Sequence, residues 1–377
     1  MKHKIPKWMF AARIIFVNLN SDGNGNSSFS KVKAGGFNLF EQIDKELIVD
    51  EPKPFESCHA SHLALLPNGD VLAVWFGGSR EGADDVAIWC SRRENGKWGI
   101  PFVVADEPEL PHWNPVLFAR PDGTLLLFYK VGRQIKSWYT KWMVSSDLGR
   151  TWTRPVELVD GDRGGRGPVR NKLLVLSDGT WLAPASSEDG MWKAFVDVST
   201  DQGKSWARSE DIEITSFMQA AEQKGQSGIP VSEQSFAGRG VIQPTLWESK
   251  PGTVHMMLRS SEGRIYRSDS TDYGKTWCAA YATDLPNNNS GIDVAKTADG
   301  SLVLIYNPVG INWGPRSPLV LRVSKNNGAT WGEQFVLEDG AGEYSYPAIL
   351  ADGDDICLTY TWRRENIAFC KLRITNS

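Results

Sequence analysis

Ser145-Ser146-Asp147-Leu148-Gly149-Arg150-Thr151-Trp152 is the stretch that decides the fold, because the chain repeats it. It returns as Ser199-Thr200-Asp201-Gln202-Gly203-Lys204-Ser205-Trp206 and as Ser270-Thr271-Asp272-Tyr273-Gly274-Lys275-Thr276-Trp277. A fourth copy, Ser324 to Trp331, carries Asn326 in place of the aspartate, and a worn fifth ends Asn95-Gly96-Lys97-Trp98. The closing tryptophans are 54 residues apart at three of the four steps and 71 apart between Trp206 and Trp277. Repetition at such a period marks a radial or solenoidal architecture.

A second motif counts the units independently. Apolar strands meet at Gly-centred turns around Gly69, Gly123, Gly179, Gly252, Gly300 and Gly353. Asn-Gly and Asp-Gly between alternating apolar residues are hairpin signals, read here as turns with positive φ at both central positions. Six hairpins with five box-like turns predict an all-β, six-bladed β-propeller. A strand near Glu46-Leu47-Ile48-Val49 is expected to supply the outer edge of the last blade and close the ring. The expected layout is a flexible tail over 1–36 and a single propeller domain over 37–377, with a long polar surface loop over 212–238.

The 377 residues carry a net charge of −4, which gives no support to nucleic-acid binding. No apolar run reaches membrane-spanning length. Five cysteines without metal-site spacing read as thiols in strands, which favours a cytoplasmic over a secreted or periplasmic location. In the boxes, Asp and Ser serve the turn's own backbone and Trp packs between strands, so these residues report architecture and not chemistry.

The chemistry is expected where the innermost strands converge. Nine, eight or seven residues before each hairpin glycine stand Ala60-Ser61-His62, Asn114-Pro115-Val116, Arg170-Asn171-Lys172, Gln243-Pro244-Thr245, Gly291-Ile292-Asp293 and Tyr344-Ser345-Tyr346. His59, His112 and Trp113 lie just upstream. A polar funnel of mixed charge with aromatic faces suits a sugar, whose hydroxyls need hydrogen bonds and whose ring needs a flat surface. The same groups can also satisfy one another along a central channel.

In its boxes, hairpin spacing and funnel positions the chain resembles the sialidase (neuraminidase) superfamily of the bacterial type with Asp-box repeats, over about residues 45 to 373. The resemblance implies a Tyr nucleophile, a Glu that assists it, an Asp acid/base on a mobile loop and three Arg that clamp a carboxylate. Matched position by position, Tyr344 in GEYSYPAILADG falls at the nucleophile, and Asp84 or Asp85 at the acid/base. Arg259 and Arg316 fall at two clamping arginines and Arg80 at a further substrate contact. There are two departures. The first clamping Arg falls on His59, and the assisting Glu falls on Val241, Ile242 or Gln243, never on an acid.

His59 and His62 lie three residues apart with His112 expected on the next blade, which makes His59 a candidate base or a partial replacement for the missing Arg. Their spacing matches no metal-ligand pattern, and neither metal nor cofactor is expected. The resemblance implies an exo-glycosidase releasing a terminal, acidic, sialic-acid-like sugar from a glycan. In that reading His62, His112, Trp113, Asn114, Arg170, Lys172, Gln243, Asp293 and Tyr346 contact the substrate. Two alternatives use the same fold: a polysaccharide lyase on uronic-acid sugars, and a carbohydrate-binding propeller without turnover.

Overall fold

The computed structural model describes residues 39–214 and 237–375. The expected tail over 1–36, and the 212–238 loop from residue 215 to 236, lie outside the described residues. Among the described residues the structure is all-β, with one 3-10 turn at Ile135–Ser137 and no helix long and apolar enough to cross a membrane.

The strands form small antiparallel sheets in a propeller-like arrangement. The first holds Ser57–Leu65, Val71–Gly78 and Ala87–Glu94, edged by Lys97–Trp98 and Phe102–Ala105. The second holds His112–Ala119, Leu125–Val131, Tyr139–Ser145 and Val156–Glu157. The third is an eight-stranded sheet, which differs from the expected row of separate antiparallel blades. Its two antiparallel halves, with inner strands Leu174–Val175 and Arg239–Lys250, are joined by a short parallel pairing of Met191 with Arg239 and Trp192 with Gly240. The pairing is possible because Gly240 (φ 136°) lets the backbone pass Trp192, where a Cβ would meet the Trp192 carbonyl oxygen at 2.2 Å. The fourth sheet runs outward from Asp293–Lys296 and the fifth from Tyr344–Asp352.

Apolar side chains pack between neighbouring sheets. Leu72 and Ile88 meet Leu117 and Leu127, and Val116 and Phe128 meet Leu173 and Trp181. Within the eight-stranded sheet, Leu182 and Val196 meet Leu246 and Met256. Trp247 and Met257 meet Leu304 and Val320, Val303 and Leu321 meet Ile349 and Leu358, and Ile367 and Phe369 meet Leu63 and Trp75. The strand before the first sheet is Phe40–Leu47, paired antiparallel to Asn366–Ile374. It ends earlier than the sequence suggested. Ile48 and Val49 lie past it and are apolar because they enter the core beside Trp75 and Phe369.

The boxes are self-contained turns. The Asp147 carboxylate accepts from Arg150 N at 3.0 Å, Thr151 N at 2.8 Å and Thr151 Oγ1 at 2.6 Å, while Ser145 Oγ accepts from Gly149 N at 2.7 Å. The same bonds recur at Asp201 and Asp272, and Asn326 keeps the acceptor role toward Thr330 N. The hairpin turns depart from expectation. At Asn95-Gly96 both residues have positive φ, but at Gly69, Gly123, Gly179 and Gly300 only the glycine does. There the preceding Asp or Asn is present for its side-chain oxygen, as where Asp122 accepts from Thr124 N at 2.9 Å and Asn68 Oδ1 from Asp70 N at 3.3 Å.

Where inner strands converge, Asp293 is completely buried. Its carboxylate accepts from Lys172 Nζ at 2.7 and 2.8 Å, Thr245 Oγ1 at 2.7 Å and Ile349 N at 2.9 Å. Burial opposes its ionisation, but the Lys172 ammonium and these donors hold its carboxyl below the usual range. Asp293→Ala strands the ammonium and two buried donors, and should lower unfolding free energy by about 3–5 kcal/mol in urea. A Lys172→Met/Asp293→Leu pair should lose much less.

Candidate functional site

Five residues at the inner edge of the sheets share one unusual conformation. Ala60, Asn114, Arg170, Gln243 and Tyr346 have φ of 53°, 44°, 71°, 54° and 51°. A left-handed backbone at a non-glycine residue costs about 1 kcal/mol or more, so five instances at related positions signal a purpose. At four of them the strand register slips, with Ala60-Ser61, Asn114-Pro115, Gln243-Pro244 and Tyr346-Pro347 each inserted as a β-bulge. A bulge re-aims one side chain, and a proline there leaves no N–H without a ladder partner.

The bulges corrected the alignment on the hairpin glycine. Ala60, Asn114, Arg170 and Gln243 stand nine residues before theirs, whereas Tyr346 stands seven before Gly353. The last hairpin pairs Asp352 directly with Asp355 and is tighter than the Leu65–Val71 hairpin. Tyr346 therefore takes the place that the sequence assigned to Tyr344. Tyr344 is buried in the apolar cluster with Ile349 and Tyr360, its hydroxyl 3.3 Å from Ala341 O. It does not line the cleft.

The cleft above the bulges has a volume of about 490 Å³. Of the expected site residues, Arg80, Trp113, Asn114, Gln243, Arg259, Arg316 and Tyr346 line it. Tyr346 is the centre. The guanidinium carbons of Arg170, Arg259 and Arg316 lie 5.5, 5.5 and 5.3 Å from its ring centroid, and the His59 ring lies 4.2 Å away. Gly291 makes room for this packing, since a Cβ there would meet Tyr346 Cγ at 3.3 Å and Arg170 Nε at 3.4 Å. Arg259 donates to the Tyr346 hydroxyl, to Gln243 Oε1 at 3.1 Å and to Asn289 Oδ1 at 3.0 Å, all neutral acceptors. Arg316 donates to Glu343 Oε1 at 2.7 Å, and Arg364 to Glu343 Oε2 at 3.0 Å and to Glu81. Burial pushes the Glu343 carboxyl up, but the Arg316 and Arg364 guanidiniums outweigh it and hold the carboxyl well below its usual range.

The remaining expected residues are elsewhere. Asp84 is exposed and tied to Arg133 through both oxygens at 3.0 Å. Asp85 accepts from Ser79 N and Oγ at 2.9 Å. Both carboxylates fasten loops and neither lines the cleft, which corrects their reading as the acid/base. The three histidines are buried. Desolvation holds His59 neutral with help from Arg364, and carries His62 down to about 3. His112 accepts from Glu107 N at 3.1 Å and braces a loop. None of the three lines the cleft, so the expected base or Arg substitute at His59 is corrected to a packing partner beneath Tyr346. Arg170, Lys172 and Asp293 sit below the cleft floor. Arg170 donates to Ser61 O at 3.3 Å and to Pro347 O, and Lys172 is committed to Asp293.

The structure also adds residues that the sequence reading missed. Glu188, at the tip of the Trp181–Ser187/Met191–Ser199 hairpin, is half-buried in the cleft wall. Burial pushes its carboxyl up to about 7, Glu81 adds to the rise and Arg259 opposes it. Glu81, Trp138, Trp313 and Arg364 also line the cleft. Arg364 left a trace in the sequence. The turn between Trp362 and Asn366 has no glycine, and Arg363 and Arg364 take φ of 54° and 58° instead. Nothing in the sequence around Glu188 separates it from an ordinary hairpin tip.

Residues 69–358 match the model of the BNR repeat-like domain, well over half of the chain. No curated protein matches by sequence. Among solved structures, a protein of unknown function from Dyadobacter fermentans is 16% identical with a TM-score of 0.69, over 89% of this chain and all of that one. The intramolecular trans-sialidase from Ruminococcus gnavus is 13% identical with a TM-score of 0.64, over 87% and 97% of the two chains. The NanB sialidase from Streptococcus pneumoniae is 13% identical with a TM-score of 0.64, over 89% and 71%. At these identities the likeness is one of fold. The chain belongs to the BNR repeat-like domain family and shares its fold with sialidases of known structure.

Proposed function

We propose that the protein is an exo-glycosidase of the sialidase type that removes a terminal acidic sugar, built as a six-bladed propeller closed by the Phe40–Leu47 strand. The two halves of the eight-stranded sheet count as separate blades in this reading, supported by the two-residue length of the pairing between them. Closure is supported by the core contacts of the last sheet with the first.

The observation that carries the functional reading is Tyr346 at the cleft floor, flanked by Arg259 and Arg316. Arg259 has no carboxylate among its hydrogen-bond acceptors, so its fork is available to a substrate carboxylate. The Arg316 guanidinium carbon lies 5.3 Å from the centroid of the same ring. A tyrosine is a suitable nucleophile toward an anionic sugar because a carboxylate would repel the substrate. The Arg259 contact stabilises negative charge developing on the hydroxyl. Gln243, one of the three positions where the resemblance expects the assisting glutamate, bonds Arg259 and cannot accept a proton. Glu188 is the carboxyl in the cleft wall with a proton to give near neutrality, and it serves as the acid toward the leaving oxygen.

A second reading is favoured by the partner of the Tyr346 hydroxyl, which is a guanidinium and not a carboxylate. This arrangement also suits a lyase that moves a proton on a uronic-acid sugar. The products separate the two, since a lyase leaves an unsaturated sugar that absorbs in the ultraviolet.

Release of 4-methylumbelliferone from its α-sialoside tests the first reading. Tyr346→Phe should lower kcat/KM by roughly two to four orders of magnitude while Tyr344→Phe stays near the wild type. A folded protein with no turnover of the sialoside, or equal effects of the two substitutions, would refute it.

The pH dependence follows from Glu188. A general acid must hold its proton, so kcat/KM should fall as pH rises through about 7, and Glu188→Gln should remove that limb along with most of the activity. Stability gives a readout that is independent of turnover. The folded carboxyl keeps its proton to about 7 against 4.5 for an ordinary glutamate, so its contribution is full below about 4.5 and is lost as pH rises to about 7. Urea midpoints of wild type and Glu188→Gln should converge below pH 4.5 and separate above it, the variant becoming the more stable.

A further inference from the structure

The floor of the cleft accounts for one acidic group, and its mouth carries positive charge that this does not use. Arg80 and Lys136 both line the cleft and both are exposed. Among the described residues neither has an ion-pair or hydrogen-bond partner for its side chain, and both loops that carry them are held firmly. Ala83 N donates to Arg80 O at 3.1 Å, and Asp85 ties down Ser79 on the other side. Lys136 lies in the 3-10 turn, which is closed by Ser137 N to Gln134 O at 3.0 Å. Trp113 Nε1 secures the start of that loop at Gly132 O, 2.9 Å away. Asp84 and Arg133 then clasp the two loops to each other. Two unpaired cations on fixed backbone at the mouth of a cleft concentrate positive potential there, which draws an anion.

An exo-acting enzyme keeps the terminal sugar at the floor and its leaving group at the mouth. We infer that the sugar next to the terminal one carries an acidic group of its own, a sulfate or a carboxylate, held by Arg80 and Lys136. The substrate is then a glycan with anionic groups on two successive sugars. This rests on the acidic-sugar reading above.

The test uses three trisaccharides that share a terminal sialic acid and differ at the second sugar, which is neutral, sulfated or a uronate. Dissociation constants are measured by calorimetry on the wild type and on Arg80→Ala/Lys136→Ala, with melting temperatures to show that both are folded. The wild type should bind at least one doubly anionic ligand roughly five- to ten-fold more tightly than the neutral-second-sugar one. The variant should bind all three alike. The larger gain, with sulfate or with uronate, identifies the group. Equal binding of all three by the wild type, or a preference that survives in the variant, overturns the inference and leaves the acidic-sugar reading standing. Refusal of all three by the wild type overturns both.

Discussion

A single buried carboxylate carries much of the architecture. Asp293 joins Lys172, Thr245 and Ile349, from three different inner segments, at the place where strands crowd together. Apolar side chains fill the wedges between sheets, but they cannot fill the centre, where inner strands present backbone donors at close quarters. An ionised carboxylate with several donors answers that geometry, and it is stable there because the Lys172 ammonium balances its charge. The cleft above it inherits a fixed floor.

The site is a second use of the same crowding. Each bulge inserts one extra residue in left-handed conformation, and the side chain so displaced rises into the cleft or packs beneath it. Electrostatics then divides the arginines by task. Arg316 and Arg364 share Glu343, and Arg170 is committed to carbonyls below the floor, so each is held in place by what it binds. Arg259 is held by neutral groups alone, and no carboxylate neutralises it among the described residues. This division explains how many guanidiniums can gather around one tyrosine without unfolding the centre.

Much of the fold was legible because its signals are local. The box at Ser145–Trp152 bonds only to itself, so its repeats could be counted without knowing what packs on what. The eight-stranded sheet was not legible, since the Trp192–Gly240 pairing depends on two backbones meeting across a long stretch of sequence. At the site, Arg259 and Arg316 could be placed by spacing, whereas Tyr344 was chosen over Tyr346 because the hairpin glycine was used as the ruler. Asn114-Pro115, Gln243-Pro244 and Tyr346-Pro347 would have been the better ruler, as each marks a bulge directly. Asp84 and Asp85 misled for another reason, since an acidic pair on a loop reads alike whether it faces a ligand or fastens two loops together. Glu188 is set apart by burial, which sequence alone does not report.

The left-handed positions have a consequence for how such a protein can change. Ala60, Asn114, Arg170, Gln243 and Tyr346 differ in size, charge and chemistry, yet all stand on the same backbone feature. The frame tolerates any of them because its strength comes from the carboxylate below and the apolar wedges outside. A substitution at Asn114 or Gln243, which line the cleft, therefore exchanges a tool without disturbing the handle. The chemistry that the cleft presents can change one residue at a time while the sheets keep their registers.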